Sequence, residues 1–308
     1  VKRPLGDAVW DVIVVGGGPA GLSAALILGR CRRRVLVLDS GEYRNAAIHA
    51  MHGFLSRDGI DPAELRRTAR EQLAAYDGVE LRSVEAVDAE MQGGHFDVSL
   101  ADGSTERTRK LLLATGMSDE LPPIPGIRAF YGTSVFHCPY CDGWEARDRP
   151  VSVYGCGEKG VSFAQTLSFW TRDLTLVTDG GEPPDDAGLK KLAARGIALK
   201  TEPIERLVGD AGRLQSLLFS DGSRLESEFL FFCTGKWQRS GLPEKLGCKF
   251  LPGGDVATRR DQSARQPGLF VAGDAAEDLK LAIVAAAEGA KAAFSVHSEL
   301  MNEDLGEA

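Results

Sequence analysis

Between Asp11 and Asp39 the chain sets out a strand, a glycine turn, a helix, a second strand and an acid, an order that few folds accept. Asp11-Val12-Ile13-Val14-Val15 is a near-continuous apolar run, as suits a strand buried on both faces of a parallel sheet. It runs into Gly16-Gly17-Gly18-Pro19-Ala20-Gly21, a GxGxxG turn, and then into an alanine- and leucine-rich helix over 22–29. Such glycines permit a sharp turn and let backbone N–H groups approach a pyrophosphate at the helix N-terminus. A second apolar strand, 34–38, ends at Asp39, 23 residues past Gly16, where a carboxylate accepts hydrogen bonds from an adenosine ribose. Glycines alone serve ordinary turns; strand, glycines, helix, strand and acid in register point to a dinucleotide.

The pattern recurs. Val151-Ser152-Val153-Tyr154 leads into Gly155-Cys156-Gly157-Glu158-Lys159-Gly160, a helical stretch to about Thr171, a strand over 174–177, and Asp179, 24 residues past Gly155. Two such units imply two dinucleotide sites, or descent from a chain that had them. Cys156, Glu158 and Lys159 are unusual so near a pyrophosphate, so a degenerate second site is the alternative. Leu111-Leu112-Leu113-Ala114-Thr115-Gly116 and Leu230-Phe231-Phe232-Cys233-Thr234-Gly235 end alike, as buried strands in small-residue turns. Gly268-Leu269-Phe270-Val271-Ala272-Gly273-Asp274 is a strand with glycine and acid at its tip, before a long helix over about 279–300. We expect an α/β fold of two Rossmann-like dinucleotide-binding domains, the second inserted into the first. Residues 1–118 and 243–308 form one domain, and 119–242 the other.

Length agrees with two domains at roughly 150 residues each. A net charge of −8 argues against nucleic-acid or anionic-membrane surfaces, which reward a basic excess. Residues 12–29 carry no charge, about the length of a membrane span, but the glycines and Pro19 inside would break such a helix. No cleavage site follows Lys2 and Arg3, so we expect no signal peptide and no anchor, and a cytoplasmic, reducing setting. Six cysteines are too few for a disulfide scaffold in a chain this long. The pair in His137-Cys138-Pro139-Tyr140-Cys141-Asp142-Gly143 therefore reads as chemical. In CxxC one thiolate attacks a disulfide and its neighbour resolves the mixed intermediate. Half a zinc site is the other use of CxxC, but no second CxxC or histidine pair completes four ligands.

These ordered motifs, spanning nearly the whole chain, resemble the low-molecular-weight thioredoxin reductases within the pyridine nucleotide–disulfide oxidoreductases. The resemblance implies FAD in the first domain, with Gly16, Gly18, Pro19, Ala20, Gly21 and Asp39 at its diphosphate and ribose. It adds Thr115, Gly116, Gly273 and Asp274 to the flavin site, Asp274 at the ribityl-phosphate region. It implies a pyridine nucleotide at Gly155, Gly157 and Asp179, and a homodimer. Cys141 would face the flavin, Cys138 would exchange with substrate, and Asp142 would protonate or deprotonate the departing thiol. His137 would tune the pair. Two features depart from the reductase pattern. Val177-Thr178-Asp179-Gly180-Gly181-Glu182 has no basic residue for a 2′-phosphate, so NADH is favoured over NADPH. Arg44-Asn45 through His52-Gly53-Phe54, with the His137 motif, resembles a side branch. That branch holds dithiol oxidases that close disulfides in gliotoxin- and holomycin-like metabolites, although those commonly have histidine at the place of Asp142. Arg44, Asn45 and His52 join the expected cofactor site.

The reading is an FAD-dependent thiol–disulfide oxidoreductase acting on a thioredoxin-like protein or a small-molecule dithiol or disulfide. NADH-driven reduction is one direction. Dithiol oxidation is the other, and the alternative reading is a dithiol oxidase or a ferredoxin-linked reductase with a vestigial nucleotide site. A non-catalytic nucleotide sensor is the alternative from another class. Blander readings go to His49, His95 and His297 as surface or packing residues, to Arg30-Cys31-Arg32-Arg33-Arg34 as a solvated helix cap, and to Cys31, Cys233 and Cys248 as structural thiols. Trp144 and Glu145 are substrate rim or packing, and Cys156 has no sequence-level account.

Overall fold

The structure, a computed structural model, describes residues 9–276 and 279–307. The chain opens with β1 (Val9–Val15), α1 (Pro19–Arg30), β2 (Val35–Leu38), α2 (Pro62–Leu73) and β3 (Val79–Arg82). It continues through β4 (Ala86–Gln92), β5 (His95–Leu100) and β6 (Thr105–Leu113), then leaves along β7 (Met117–Asp119). An inserted body follows: β8 (Val135–Phe136), α3 (Pro139–Asp142), β9 (Val151–Tyr154), α4 (Gly157–Leu167), β10 (Leu174–Val177), α5 (Asp186–Arg195), β11 (Ala198–Lys200), β12 (Ile204–Asp210), β13 (Arg213–Phe219), β14 (Arg224–Glu226) and β15 (Phe229–Phe232). The chain returns along β16 (Lys236–Gln238) and closes with α6 (Leu242–Lys245), β17 (Leu269–Val271) and α7 (Ala282–Leu305).

Each body is wound around a parallel sheet. The first has order β3-β2-β1-β6 with β17 against β6, extended by antiparallel β5 and β4. The second has order β11-β10-β9-β15-β8. The two crossings between them pair with each other, β16 antiparallel to β7, placing Lys236 opposite Asp119. The uncharged run 12–29 is thus a sheet strand and a helix joined at Gly16. Among the described residues no helix is long and apolar enough to cross a membrane.

Alternation along the buried strands explains why both sheet faces need cover. Ile13, Val15, Leu36, Leu38, Leu111 and Leu113 share one core cluster, whereas Val12, Val14, Val35, Val37 and Leu112 join the opposite one. In the latter they meet Leu28 of α1 and Ala292, Ala293 and Val296 of α7. Fully burying a valine, leucine or isoleucine side chain stabilises by about 1.5–3 kcal/mol. Helix α7 can lie this close to α1 because residue 289 is glycine: a Cβ there would stand 2.0 Å from the Ala20 carbonyl oxygen.

The far end of α7 is fixed by charge. Lys110, almost buried, meets Glu299 at 2.6 Å and Glu303 at 2.7 Å. Arg33 donates to His297 Nδ1 at 3.1 Å and to Asp304 at 2.6 Å. This corrects the reading of 30–34 as a solvated cap. Arg33 is only 9% exposed and anchors a helix from the other end of the chain.

Candidate active site

A cleft runs along the carboxyl ends of the first parallel sheet and reaches the redox pair of the inserted body. Its lining includes Gly16, Gly18, Pro19, Ala20, Asp39, Arg44, Asn45, His52, Thr115, Gly116, Gly273 and Asp274 together with His137, Cys138, Cys141 and Asp142. Residues 126 positions apart in sequence, from Gly16 to Asp142, thus share one wall. Gly21 does not line it and serves the turn itself, since a Cβ there would fall 1.9 Å from the Gly16 carbonyl oxygen.

The first glycine turn is shaped to hold an anion. Gly16 has φ +119°, which an L side chain rarely adopts, and α1 starts at Gly18 with no side-chain cap and no acid in its first turn. The orphan N–H groups of a helix start, with the helix dipole, favour a phosphate there. Thr115 Oγ1 is buried on the same cleft and has no hydrogen-bond partner. A buried hydroxyl left unpaired costs about 1–3 kcal/mol, so it marks a place for a ligand's polar atom. Open helix start, bare glycine backbone and orphaned hydroxyl fit the pyrophosphate and ribityl chain of FAD.

Asp39 stands where β2 ends, 2% exposed. Its carboxylate accepts from Tyr43 Oη at 2.6 Å, from the Gly41 N–H at 3.0 Å and from Arg70 of α2. Burial, then the bond to Asp39, pushes the Tyr43 hydroxyl up to about 12. Arg66, one turn before Arg70, lies 3.7 Å over the Tyr43 ring and donates to Asn45 Oδ1 at 3.1 Å. Sequence reading missed Tyr43, Arg66 and Arg70. The i, i+4 spacing of the two arginines was the available signal.

The second glycine turn keeps one close approach of the first, but its positive φ falls at Gly157 and not at its first glycine, α4 begins at Gly157, and its mouth is closed. A Cβ on Gly160 would lie 2.6 Å from the Gly155 carbonyl carbon, the same helix-to-strand approach. Yet the Gly157 N–H, at the start of α4, donates to the carbonyl of Glu182 at 3.0 Å. Asp179, with φ +52°, turns its carboxylate to the Ile204 N–H at 2.5 Å. Cys156 donates its thiol to the Thr178 carbonyl at 3.3 Å, and a Cβ on Gly181 would come within 2.4 Å of its sulfur. Residues 178–182 therefore fold back over the turn, and Cys156 is the packing surface beneath them. Gly155, Gly157 and Asp179 do not line the cleft that holds the cysteines.

Cys138 and Cys141 form a disulfide, with Cα atoms 5.3 Å apart, at the start of the short helix α3. Asp142, 7% exposed, sits directly behind Cys141. Burial, reinforced by the charge of Glu145 and opposed by His52, pushes its carboxyl up to about 7. Such a group holds its proton near neutrality and can hand it to a departing thiolate.

His137 is oriented from both sides. Its Nδ1 is 3.3 Å from Tyr131 Oη and its Nε2 is 3.5 Å from Asp119. With Asp119 an acceptor only, Nε2 carries the proton and Nδ1 accepts from the tyrosine. Burial lowers the imidazole below its usual value against the pull of Asp119. Its two nitrogens thus face Tyr131 and Asp119. Asp119 is in turn gripped by Arg44, whose Nη1 also donates to Asp274 at 2.8 Å. Buried Glu288 of α7 accepts from the Gly273 N–H at 2.7 Å and shapes that turn. Sequence reasoning named neither Asp119 nor Glu288. An acid inside an otherwise alanine-rich helix was the trace left by the latter.

Comparison with known proteins places these features. Residues 10–289 match the family model described as pyridine nucleotide-disulphide oxidoreductase. The chain is 35% identical to thioredoxin reductase tcpT of Claviceps purpurea, over 88% of each chain. Among solved structures it superposes on HlmI with a TM-score of 0.91 at 36% identity, covering 97% of this chain and 94% of that one. An oxidoreductase from Agrobacterium tumefaciens gives 0.88 at 34% identity, over 95% and 99%. The fold is thus the two-domain Rossmann arrangement of thioredoxin reductases, and membership implies FAD and a pyridine nucleotide. With a redox-active cysteine pair on the cleft, the chain is a flavin-dependent disulfide oxidoreductase of thioredoxin reductase type, a member of the pyridine nucleotide–disulphide oxidoreductase family.

Proposed function

We propose that this enzyme oxidises an external dithiol to a disulfide and does not depend on a pyridine nucleotide. The observation that carries the reading is the Gly157 N–H bonded to the Glu182 carbonyl, with Glu182 and Asp179 placing acid at the mouth of the second turn. A nucleotide phosphate would have to displace that carbonyl and settle among carboxylates, which repel it. We assign FAD to residues 1–118 and 243–308, and the redox pair to a domain over 119–242 whose nucleotide site is vestigial. The family resemblance supports a homodimer, and the sequence reading of residues 1–29 supports a reducing, cytoplasmic setting.

In this reading a substrate thiolate attacks Cys138 Sγ and the S–S bond breaks. The electron pair leaves on Cys141 Sγ, which takes the Asp142 proton. The second substrate thiol loses its proton to solvent and attacks its partner sulfur in the mixed disulfide, releasing Cys138 as thiolate and the substrate as disulfide. FAD would supply the two-electron acceptor for the reduced pair, and its reoxidation would call on oxygen or another external acceptor. Thr115, the 16–20 backbone and Asp274 hold the cofactor. Arg44 and Asn45 position its surroundings, and His137, fixed by Asp119 and Tyr131, positions the backbone that presents Cys138.

The test is an anaerobic titration followed by flavin absorbance, with NADH, NADPH and dithiothreitol added in separate runs. Bleaching by dithiothreitol, with neither nucleotide effective at low excess, supports the reading. Bleaching by NADH would favour a second reading, an NADH-linked reductase, for which Asp179 at the end of β10 is the supporting residue once the 178–182 loop lifts.

A further inference from the structure

Asp142 belongs to the inserted domain, but one of the charges that bear on it comes from the other. Residues 51–60 form a self-tied loop. Met51 and Ile60 pair as a bridge, the Gly59 N–H returns to the Met51 carbonyl at 2.9 Å, and the Gly53 N–H donates to Asp58 at 2.8 Å. The loop presents His52 into the cleft, where it shares the wall with Cys141 and Asp142. Its Nδ1 is 3.6 Å from Asp58 of its own loop, and its Nε2 is 3.5 Å from Glu145, three residues beyond Asp142. Nearby, Ile48 packs into the apolar core of the inserted domain, and Gly132 of that domain sits so close to Ala47 that a Cβ would lie 2.0 Å from its carbonyl oxygen. The segment leading into the loop is thus packed against the domain that carries the cysteines, and the loop itself reaches it through His52 and Glu145.

We propose that His52 and Glu145 form a cross-domain positioning pair that governs how readily Asp142 gives up its proton, so that the reactivity of Cys141 depends on the 51–60 loop being seated. The proposal rests on Asp142 serving as the proton carrier of Cys141. The titratable groups facing Asp142 are Glu145, His52 and Tyr131, whose hydroxyl feels the Asp142 charge. Those facing His52 are Glu145 and Asp58. Glu145 is a like charge that holds the Asp142 proton on, and His52 works in the opposite sense. Because His52 also holds Glu145 in place, the two cannot be set independently while the domains are together.

The experiment uses the purified protein and the variants Glu145→Gln, His52→Gln and Asp142→Asn, all at polar positions and near their natural volumes. Two readouts are followed from pH 5.5 to 9: the anaerobic rate of flavin bleaching by dithiothreitol, relative to wild type, and the infrared band of a protonated carboxyl that Asp142→Asn removes. Glu145→Gln is expected to move both midpoints down by about half to one pH unit, and His52→Gln to move them up. Circular dichroism and retained flavin absorbance check that each variant is folded. If Asp142→Asn removes the infrared band and the kinetic limb while the other two variants leave the midpoints unmoved, or move them the same way, the pair has no such role. The reading of Asp142 then stands alone. If Asp142→Asn leaves the limb in place, that reading falls and takes the proposal with it.

Discussion

Arg44 grips Asp119 with two parallel bonds, Nε at 2.6 Å and Nη2 at 2.5 Å to the two carboxylate oxygens. The arginine comes from the segment after β2 and the aspartate from the first strand of the linking ribbon. The pair therefore ties the cleft of the first domain to the root of the second. Despite the cost of burial, Arg44 holds the Asp119 carboxyl below the usual carboxylate range.

Arg44→Met should leave Asp119 buried beside His137 without its cation. Breaking a buried pair from one side typically costs about 3–5 kcal/mol, and Asp274 loses the same partner. A urea midpoint well below that of wild type is expected, with Arg44→Met/Asp119→Asn recovering part of the loss. A midpoint unchanged in the single variant would remove the clamp from the stability of this fold.

Cys138→Ser should remain yellow, because no cofactor contact is assigned to that sulfur, and should lose dithiol turnover. With serine at 138 no internal disulfide exists for the substrate to open. Steady-state oxidation of dithiothreitol above one-tenth of the wild-type rate would contradict the assignment of Cys138 as the exchanging thiol.

Asp142 makes a pH prediction of definite sign. Burial raises its carboxyl from 3.8 in the unfolded chain to about 7, so the native state holds the proton more tightly. The associated stability is fully present below about pH 3.8 and is lost as pH rises through about 7, amounting to at most about 4 kcal/mol. Asp119 acts oppositely, contributing above the ordinary carboxylate range and losing its contribution in acid. Urea unfolding of Asp142→Asn between pH 5 and 8 should therefore show a smaller decline with pH than wild type.

Gly289→Val should separate α7 from α1, since even a Cβ meets the Ala20 carbonyl at 2.0 Å. Overpacking of this kind costs about 1–3 kcal/mol. Both helices border the cleft through Ala20 and Ala285, so flavin release on dilution should quicken along with a lower thermal midpoint. A lower midpoint with unchanged flavin release would confine Gly289 to packing.

What was legible in the sequence was local. The turn at 16–21 and the pair at 138 and 141 announce themselves because their chemistry needs neighbours in sequence. The clean alternation of Phe96, Val98 and Leu100 in β5 is local in the same way. Arg44 with Asp119, 75 residues apart, and Arg44 with Asp274, 230 apart, left no such trace. Their meeting follows from strand order. Asp179 shows the limit most clearly. An acid at a strand end reads the same in sequence whether or not its carboxylate also accepts from a backbone N–H, as Asp179 does from Ile204. The left-handed backbone at Asp179 that brings the two together has no sequence signature.

The paired crossings β7 and β16 have a mechanical meaning. A body hung from a single strand can swivel about almost any axis. Hung from two strands hydrogen-bonded to each other, it is joined by a ribbon, which bends readily across its face and resists bending in its plane. Any displacement of the cysteine-bearing domain thus has a preferred direction written into its attachment, before any ligand or partner acts on it.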